Sequence, residues 1–263
     1  MVTGAGSGIG RAVSRELLDD GWSVALAGRR IERLHESSED GERSCAFVTD
    51  VTDPSSVDLL FDGVLAHFGR VDLLVNNAGA SWRASFAEGG YENVRRHMEL
   101  NFDAVVRLTE ALLPLLRASA PSAIVNVAST AGRVARARTG SYSASKFALI
   151  GWTDALYAEE KPNWVHVGMV LPGFIKTEGF PATELREKAL TRWIVSKPEK
   201  VADAIYECGP GGRAERYVPR PYGLAAALRI LTPSLVRRVL GGGAAANLTT
   251  STAGDNEKSS DPG

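Results

Sequence analysis

Short, nearly continuous apolar runs alternate along this chain with longer segments whose apolar residues recur at helical spacing. The runs cover residues 23–27, 44–48, 71–75, 123–129, 165–171 and, shortest, 216–218. Runs without polar alternation belong to strands buried on both faces, as in a parallel sheet. Between them, residues 11–20 set Ala12, Val13, Leu17 and Leu18 on one side of a helix. Residues 54–69 likewise turn Val57, Leu60, Phe61, Val64 and Leu65 inward. Further helices are expected at 31–36, 183–194 and 198–207, with a long one at 91–116 interrupted near Asn101 and Pro114. Another helix runs from Tyr142 to about Glu160. The alternation predicts an α/β fold, a doubly wound, mainly parallel sheet of about seven strands with helices on both faces.

Composition adds boundaries. The 263 residues are 44% hydrophobic and 23% charged, as in an ordinary globular protein. One domain is expected over residues 1–221, followed by an amphipathic arm at 222–240 and a disordered Gly-, Ala-, Ser- and Thr-rich tail at 241–263. The arm is broken by Pro233 and carries Arg229, Arg237 and Arg238, so it is too short and too charged to span a bilayer. Packing on its own domain or on a partner subunit is expected ahead of contact with a membrane surface or the lining of an apolar substrate pocket. Thirty basic and 31 acidic residues give a formal charge of −1, which excludes a global field for nucleic acid. Cys45 and Cys208 read as two buried free thiols of a reducing compartment. His35, His67, His97 and His166 show no metal spacing. With no signal peptide and no long uninterrupted apolar run, the expected location is cytoplasmic.

The chain opens Thr3-Gly4-Ala5-Gly6-Ser7-Gly8-Ile9-Gly10 and passes at once into a helical pattern. Such a turn is an anion cradle, because glycines let the backbone approach a pyrophosphate and the free helix N–H groups favour negative charge. Only Met1 and Val2 precede Thr3, so the first strand is expected to be incomplete. At the end of the second strand, Gly28 and Arg29 stand where an acid would bond an adenosine 2′-hydroxyl. Arginine there accommodates a 2′-phosphate, which argues for NADP(H) over NAD(H).

Tyr142 and Lys146 are four residues apart and share one helix face. A fixed ammonium favours phenolate over phenol, so the tyrosine pKa is expected to fall toward working pH. Ser129 ends an apolar run and brings a hydroxyl to the same spot. Phenol, ammonium and hydroxyl together suit proton transfer to an alkoxide.

Taken jointly, Thr3-Gly4…Gly8-Ile9-Gly10, Asp50, Asn76-Asn77-Ala78-Gly79, Asn101, Ser129 with Tyr142 and Lys146, and Pro172-Gly173 with Thr177 resemble the short-chain dehydrogenase/reductase family over about residues 1–220. The resemblance implies a single Rossmann-like domain with cofactor and substrate in one cleft, and an alcohol–carbonyl oxidoreductase that forms homodimers or homotetramers. It makes Tyr142 the general acid/base, Lys146 its partner and a ribose ligand, Ser129 the holder of the substrate oxygen, and Asn101 the support of a water relay. Ser7, Ile9, Val51 and Ile175 join the expected cofactor contacts. Asp50 would bond the adenine amine, Asn77 to Gly79 would line the adenine ribose, and Pro172 to Thr177 would meet the nicotinamide carboxamide. Arg133, Arg136 and Arg138, between Ser129 and Tyr142 near the expected pocket mouth, are expected to be solvated loop arginines ahead of a role in attracting an anionic substrate. Two rival readings are a sugar-nucleotide epimerase or dehydratase, which carries T-G-x-x-G-x-x-G and a larger C-terminal domain, and a non-catalytic NADP-binding sensor or scaffold.

Overall fold

The computed structural model describes residues 1–38, 43–176 and 195–241. A seven-stranded sheet runs in the order β3-β2-β1-β4-β5-β6-β9, every pairing parallel. Its strands are β1 (Val2–Thr3), β2 (Val24–Gly28), β3 (Ser44–Val48), β4 (Leu73–Asn76), β5 (Ser122–Val127), β6 (Val165–Pro172) and β9 (Glu215–Val218). A separate parallel pair joins β7 (Phe174–Ile175) to β8 (Val195–Ser196). Chain direction across the sheet reverses between β1 and β4, the switch point where doubly wound sheets open a crevice at their C-terminal edge.

The unbroken apolar runs have a direct reason. Within β4, Leu73 and Val75 join one hydrophobic cluster while Leu74 joins another, and β5 splits likewise between Val125 and Ile124. Successive side chains point to opposite faces, and each face is covered by helices. One cover is α1 (Gly8–Asp19), through Val13, Leu17 and Leu18, with α7 (Pro198–Cys208), through Val201 and Ile205. The other is α3 (Pro54–Phe68), α5 (Ala104–Ala118) and α6 (Gly140–Glu160), through Leu60, Leu112 and Leu156. Two further helices are α2 (Ile31–His35) and α4 (Phe86–Met98).

Local chemistry sets the helix ends. Asp53 caps α3 by accepting from the Ser55 N–H at 3.0 Å, Pro54 occupies the first turn, and Gly69 closes the helix at φ +69. At α4, Ser85 and Glu88 form a reciprocal capping box.

Several expectations are corrected. Leu65 is 42% exposed, because the buried face of α3 is narrower than its apolar content and holds only Val57, Leu60 and Val64 deeply. The long helix is entered through a kink at Gly90 (φ +51) and is interrupted near Asn101 as expected, by a π-helical turn, Glu99–Asp103, whereas the interruption expected at Pro114 does not occur, since Pro114 is carried inside α5 without ending it. Cys45 is half-buried at the sheet edge, and only Cys208 is buried. The arm at 222–240 forms α8 (Tyr222–Leu231) and α9 (Pro233–Gly241). Among the described residues it packs on its own domain through Tyr222, Gly223 and Ala226, leaving Leu224, Ile230, Leu231 and Val239 exposed. The expected helix at 183–194 and the tail beyond Gly241 lie outside the described residues. No described helix is long and apolar enough to cross a membrane.

One ion pair ties the far end of the molecule. Glu160, almost fully buried at the C-terminus of α6, accepts from Arg117 Nε at 2.9 Å and Nη2 at 2.5 Å, and from Asn163 Nδ2 at 3.0 Å. The Arg117 hydrogen bond leads in holding the Glu160 carboxyl below its usual value, against the opposing effect of burial. A carboxylate depressed in the folded state stabilises above its unfolded pKa, and that contribution is lost as pH falls through the folded value. Glu160→Gln should therefore lower stability by about 1–3 kcal/mol at neutral pH, and the gap from wild type should close as denaturant unfolding is repeated toward acid pH. An equal gap at neutral and strongly acid pH would remove charge from the explanation.

Candidate active site

The glycine turn between β1 and α1 lies at the switch point. Gly4 and Gly8 have φ of +63 and +52, where a Cβ is strained. A Cβ on Gly10 would lie 2.1 Å from the Gly4 carbonyl oxygen, so the turn closes on bare backbone. Ser7 stands at the N-cap of α1 without spending its hydroxyl on a cap bond, and Ile9 is half-buried behind it. The helix N-terminus thus keeps unused donors, as an anion requires.

Thr3 and Asn77 staple this turn to β4. Thr3 Oγ1 donates to the Val75 carbonyl at 3.3 Å and accepts from the N–H groups of Asn77 and Ala78, both at 3.0 Å. Asn77 Nδ2 donates to the Thr3 carbonyl at 2.9 Å. The Asn77 side chain, expected to line a ribose, therefore points back into the turn and leaves Ala78 and Gly79 to face the cleft. Beyond Gly79, Asn101 is fully buried on the π-helical turn. Its Oδ1 accepts from the Ala80 N–H at 3.0 Å, and its Nδ2 donates to the Ala80 carbonyl at 2.9 Å and to Ser145 Oγ at 3.2 Å. Asn101 thus ties the loop after β4 to α6. A Cβ on Gly79 would come within 2.8 Å of Asn101 Oδ1 and 3.7 Å of Lys146 Nζ, so only glycine passes there.

Lys146, 4% exposed, donates from Nζ to the Val127 carbonyl at 2.8 Å. Burial pulls its ammonium down to about 8. Ser129 caps the short turn Thr130–Gly132, accepting from the Ala131 N–H at 3.1 Å and donating to the Pro172 carbonyl at a long 3.4 Å. Tyr142 departs from expectation. Burial raises its phenol above the usual value, with a Ser129 hydrogen bond and the Arg136 charge acting in opposition. The Lys146 ammonium is turned onto Val127, and the cation acting on the phenol is Arg136.

Sequence reasoning passed over His97. It is fully buried, accepts the Trp82 N–H on Nε2 at 3.0 Å and lies 2.7 Å through Nδ1 from the Asn93 carbonyl, so Nδ1 carries the proton. Burial lowers its pKa, aided by Arg96, and the ring is neutral. It meets the Tyr142 ring edge-on at a centroid distance of 6.1 Å, supporting the phenol from behind. The signal was its position four residues before Asn101, on one helical face.

Beyond the C-terminal ends of the outer strands, Arg29 is exposed after β2, and Asp50 lies across from it after β3. Burial would raise the Asp50 carboxyl, but the Thr52 hydroxyl and N–H, both on Oδ1 at 2.7 and 2.9 Å, and the Arg29 charge together lower it. No described group bonds Oδ2, and Val51 is buried beside it. Opposite, the Gly173 N–H donates to the Val218 carbonyl at 2.8 Å, and a Cβ on Gly173 would strike the Tyr222 ring at 2.3 Å. Pro172 and Ile175 are buried on that wall, and Thr177 lies outside the described residues. Arg133 and Arg138 are not free loop cations: each forms a 3.0 Å ion pair, with Glu215 and Glu88. Among the described residues no cluster could hold a metal.

The cradle, the Asp50 carboxylate and the Lys146 ammonium suit an elongated anion with an aromatic amine at one end, which is the shape and charge of a dinucleotide. Comparison with known proteins agrees. The family described as short chain dehydrogenase matches residues 1–188. Dehydrogenase/reductase SDR family member 7B of Rattus norvegicus is 34% identical over 187 residues, covering 67% of this chain. The match spans 58% of that relative's length. A short-chain dehydrogenase from Streptomyces avermitilis superimposes with a TM-score of 0.73 at 31% identity, covering 91% of this chain and 97% of that one. A short-chain dehydrogenase/reductase of unknown function from Caenorhabditis elegans, solved with cofactor, gives 0.71 at 30% identity, over 79% of this chain and 86% of that one. A family model matched over more than half of the chain, with relatives and solved structures at 30% identity or more, leaves one conclusion: this chain belongs to the short-chain dehydrogenase/reductase family.

Proposed function

We propose that the protein is an NADP(H)-preferring oxidoreductase interconverting an alcohol and a ketone or aldehyde, with Tyr142 as the proton-transferring group. The observation that carries this reading is the convergence of Ser129, Tyr142 and Lys146 at the C-terminal edge of the sheet, beside a glycine turn that admits no side chain. When bound, the nicotinamide supplies the hydride. The chain's own work is to hold and protonate the substrate oxygen. A phenol kept protonated by burial is a ready donor at neutral pH to the alkoxide that carbonyl reduction creates. Ser129 donates a second hydrogen bond to that oxygen, and its long bond to Pro172 costs little to exchange. Lys146 is charged at neutral pH and bonds a ribose hydroxyl, while Asn101 fixes the loop and helix between which Lys146 acts. Asp50 accepts from the adenine amine, and Arg29 pairs with the 2′-phosphate.

Titrating NADPH and NADH side by side into the wild type and Arg29→Ala tests the cofactor assignment. NADPH should bind more tightly to the wild type, and the variant should weaken NADPH by about tenfold to a hundredfold while sparing NADH. Wild-type preference for NADH would overturn it. Association into a homo-oligomer follows the same reading, with the exposed small-residue face of α6 at Ala144, Gly151 and Ala155 available for close helix packing. Elution as a monomer at micromolar concentration would contradict it.

A further inference from the structure

The loop from Arg133 to Arg138 carries three arginines, and they are not equivalent. Arg133 is neutralised by Glu215 and Arg138 by Glu88. Arg136 is half-buried, and its guanidinium carbon lies 4.7 Å from the centroid of the Phe174 ring. No carboxylate pairs with it among the described residues. Its backbone is pinned by the buried Thr139, whose Oγ1 accepts from the Arg136 N–H at 3.4 Å and donates to the Arg136 carbonyl at 2.9 Å. The backbone from which the guanidinium reaches Phe174 is thus held in place.

Its neighbours sharpen the anomaly. The Arg136 charge acts on the Tyr142 and Tyr222 hydroxyls, and a second cation, Arg83, acts against it. Desolvation, then Arg83, pulls the guanidinium below its ordinary pKa. Lys146 reaches the Val127 and Gly79 side of Tyr142, whereas Arg136 reaches Phe174 and Tyr222, so the two cations stand on different walls around one phenol. Among the described residues Arg136 has no carboxylate beside it to offset its desolvation, and an arriving anion would supply one. A guanidinium set over the Phe174 ring keeps N–H donors that suit a planar, two-oxygen acceptor. Whole-molecule charge does not account for this, since the chain carries a net −1.

Resting on the oxidoreductase reading above, we propose that Arg136 is the substrate's carboxylate-binding residue, and that the substrate is an oxo-acid or hydroxy-acid whose carboxylate lies within reach of the carbon reacting at Tyr142. The carboxylate takes the Arg136 N–H edge in a bidentate pair and turns the carbonyl oxygen toward Tyr142 and Ser129. Arg83 adds positive potential without needing direct contact.

The test measures NADPH-dependent reduction of levulinate and acetylbenzoate, each against its methyl ester, by wild type and Arg136→Gln. A second readout is the melting temperature of each NADPH complex with and without benzoate, which needs no turnover. Wild type should favour acid over ester by at least about tenfold in kcat/KM, mainly through KM, and the ratio should collapse toward one in the variant. Benzoate should raise the melting temperature of the wild-type complex and not that of Arg136→Gln. Removing a charge that no described carboxylate pairs should leave the variant folded, and the benzoate shift of the wild type stands without it. Esters reduced as well as acids, with no benzoate shift, would overturn the carboxylate site while sparing the oxidoreductase reading. A benzoate shift confined to the wild type, with no carbonyl reduced, would keep the anion site and overturn the oxidoreductase reading. Preference for acetylphenyl phosphate over acetylbenzoate would overturn the carboxylate assignment in favour of phosphate.

Discussion

Tyr142→Phe should lower kcat/KM for carbonyl reduction by about a hundredfold to ten-thousandfold, the range of a positioned general acid, while NADPH affinity and melting temperature stay close to wild type. Phenylalanine keeps the ring that packs edge-on against His97 and removes only the hydroxyl. The lost atom carries the proton, and burial, which holds the Tyr142 phenol above its ordinary pKa, keeps that proton in place at neutral pH. Ser129 and Lys146 remain, but neither replaces a proton donor facing the developing alkoxide. The check is steady-state reduction alongside a cofactor titration and a thermal melt. Unchanged turnover would end the assignment of Tyr142. A collapse of the melt would instead show that the hydroxyl is structural.

Gly10→Ala should abolish dinucleotide binding and cost more than about 2 kcal/mol of stability, because the added methyl has nowhere to go. It would sit 2.1 Å from the Gly4 carbonyl oxygen and 2.7 Å from Asn77 Nδ2, and neither neighbour is loose. The Gly4 oxygen is backbone, and Asn77 Nδ2 is committed to the Thr3 carbonyl, which anchors the turn to β4. Relief must come from opening the turn itself. Denaturant unfolding measures the first effect and NADPH titration the second. Wild-type affinity in this variant would mean that the anion is held elsewhere.

How much was legible in the sequence depends on whether a feature is local. Parallel strands buried on both faces leave uninterrupted apolar runs, so 44–48 was read to the residue and the other apolar runs of the main sheet within a residue or two, whereas the two-residue pair β7 and β8 leaves no such run. The glycine turn and the Tyr142–Lys146 pair were readable because their geometry is set by spacing along one element. Properties requiring a third dimension were not. The Tyr142 pKa was expected to fall because Lys146 is one turn away, yet burial dominates and the ammonium is occupied by Val127. Asn77 belongs to a motif facing the cleft, but Thr3 and Gly4 claim its side chain across more than seventy residues of chain. Loop arginines look alike in sequence, and only tertiary partners separate the paired Arg133 and Arg138 from Arg136. The face of α3 shows the same limit, since apolar periodicity nominated Leu65 and the sheet had no room to cover it.

The most direct test of the central claim is isotope transfer. Wild-type protein is incubated with NADPH deuterated at the reactive nicotinamide carbon and a panel of ketones, aldehydes and oxo-acids, and the alcohols are read by mass spectrometry. Deuterium on the carbinol carbon of at least one product, absent with Tyr142→Phe, is the predicted result. Tight NADPH binding with no deuterium in any product would contradict the account, leaving a chain that holds the cofactor without using it.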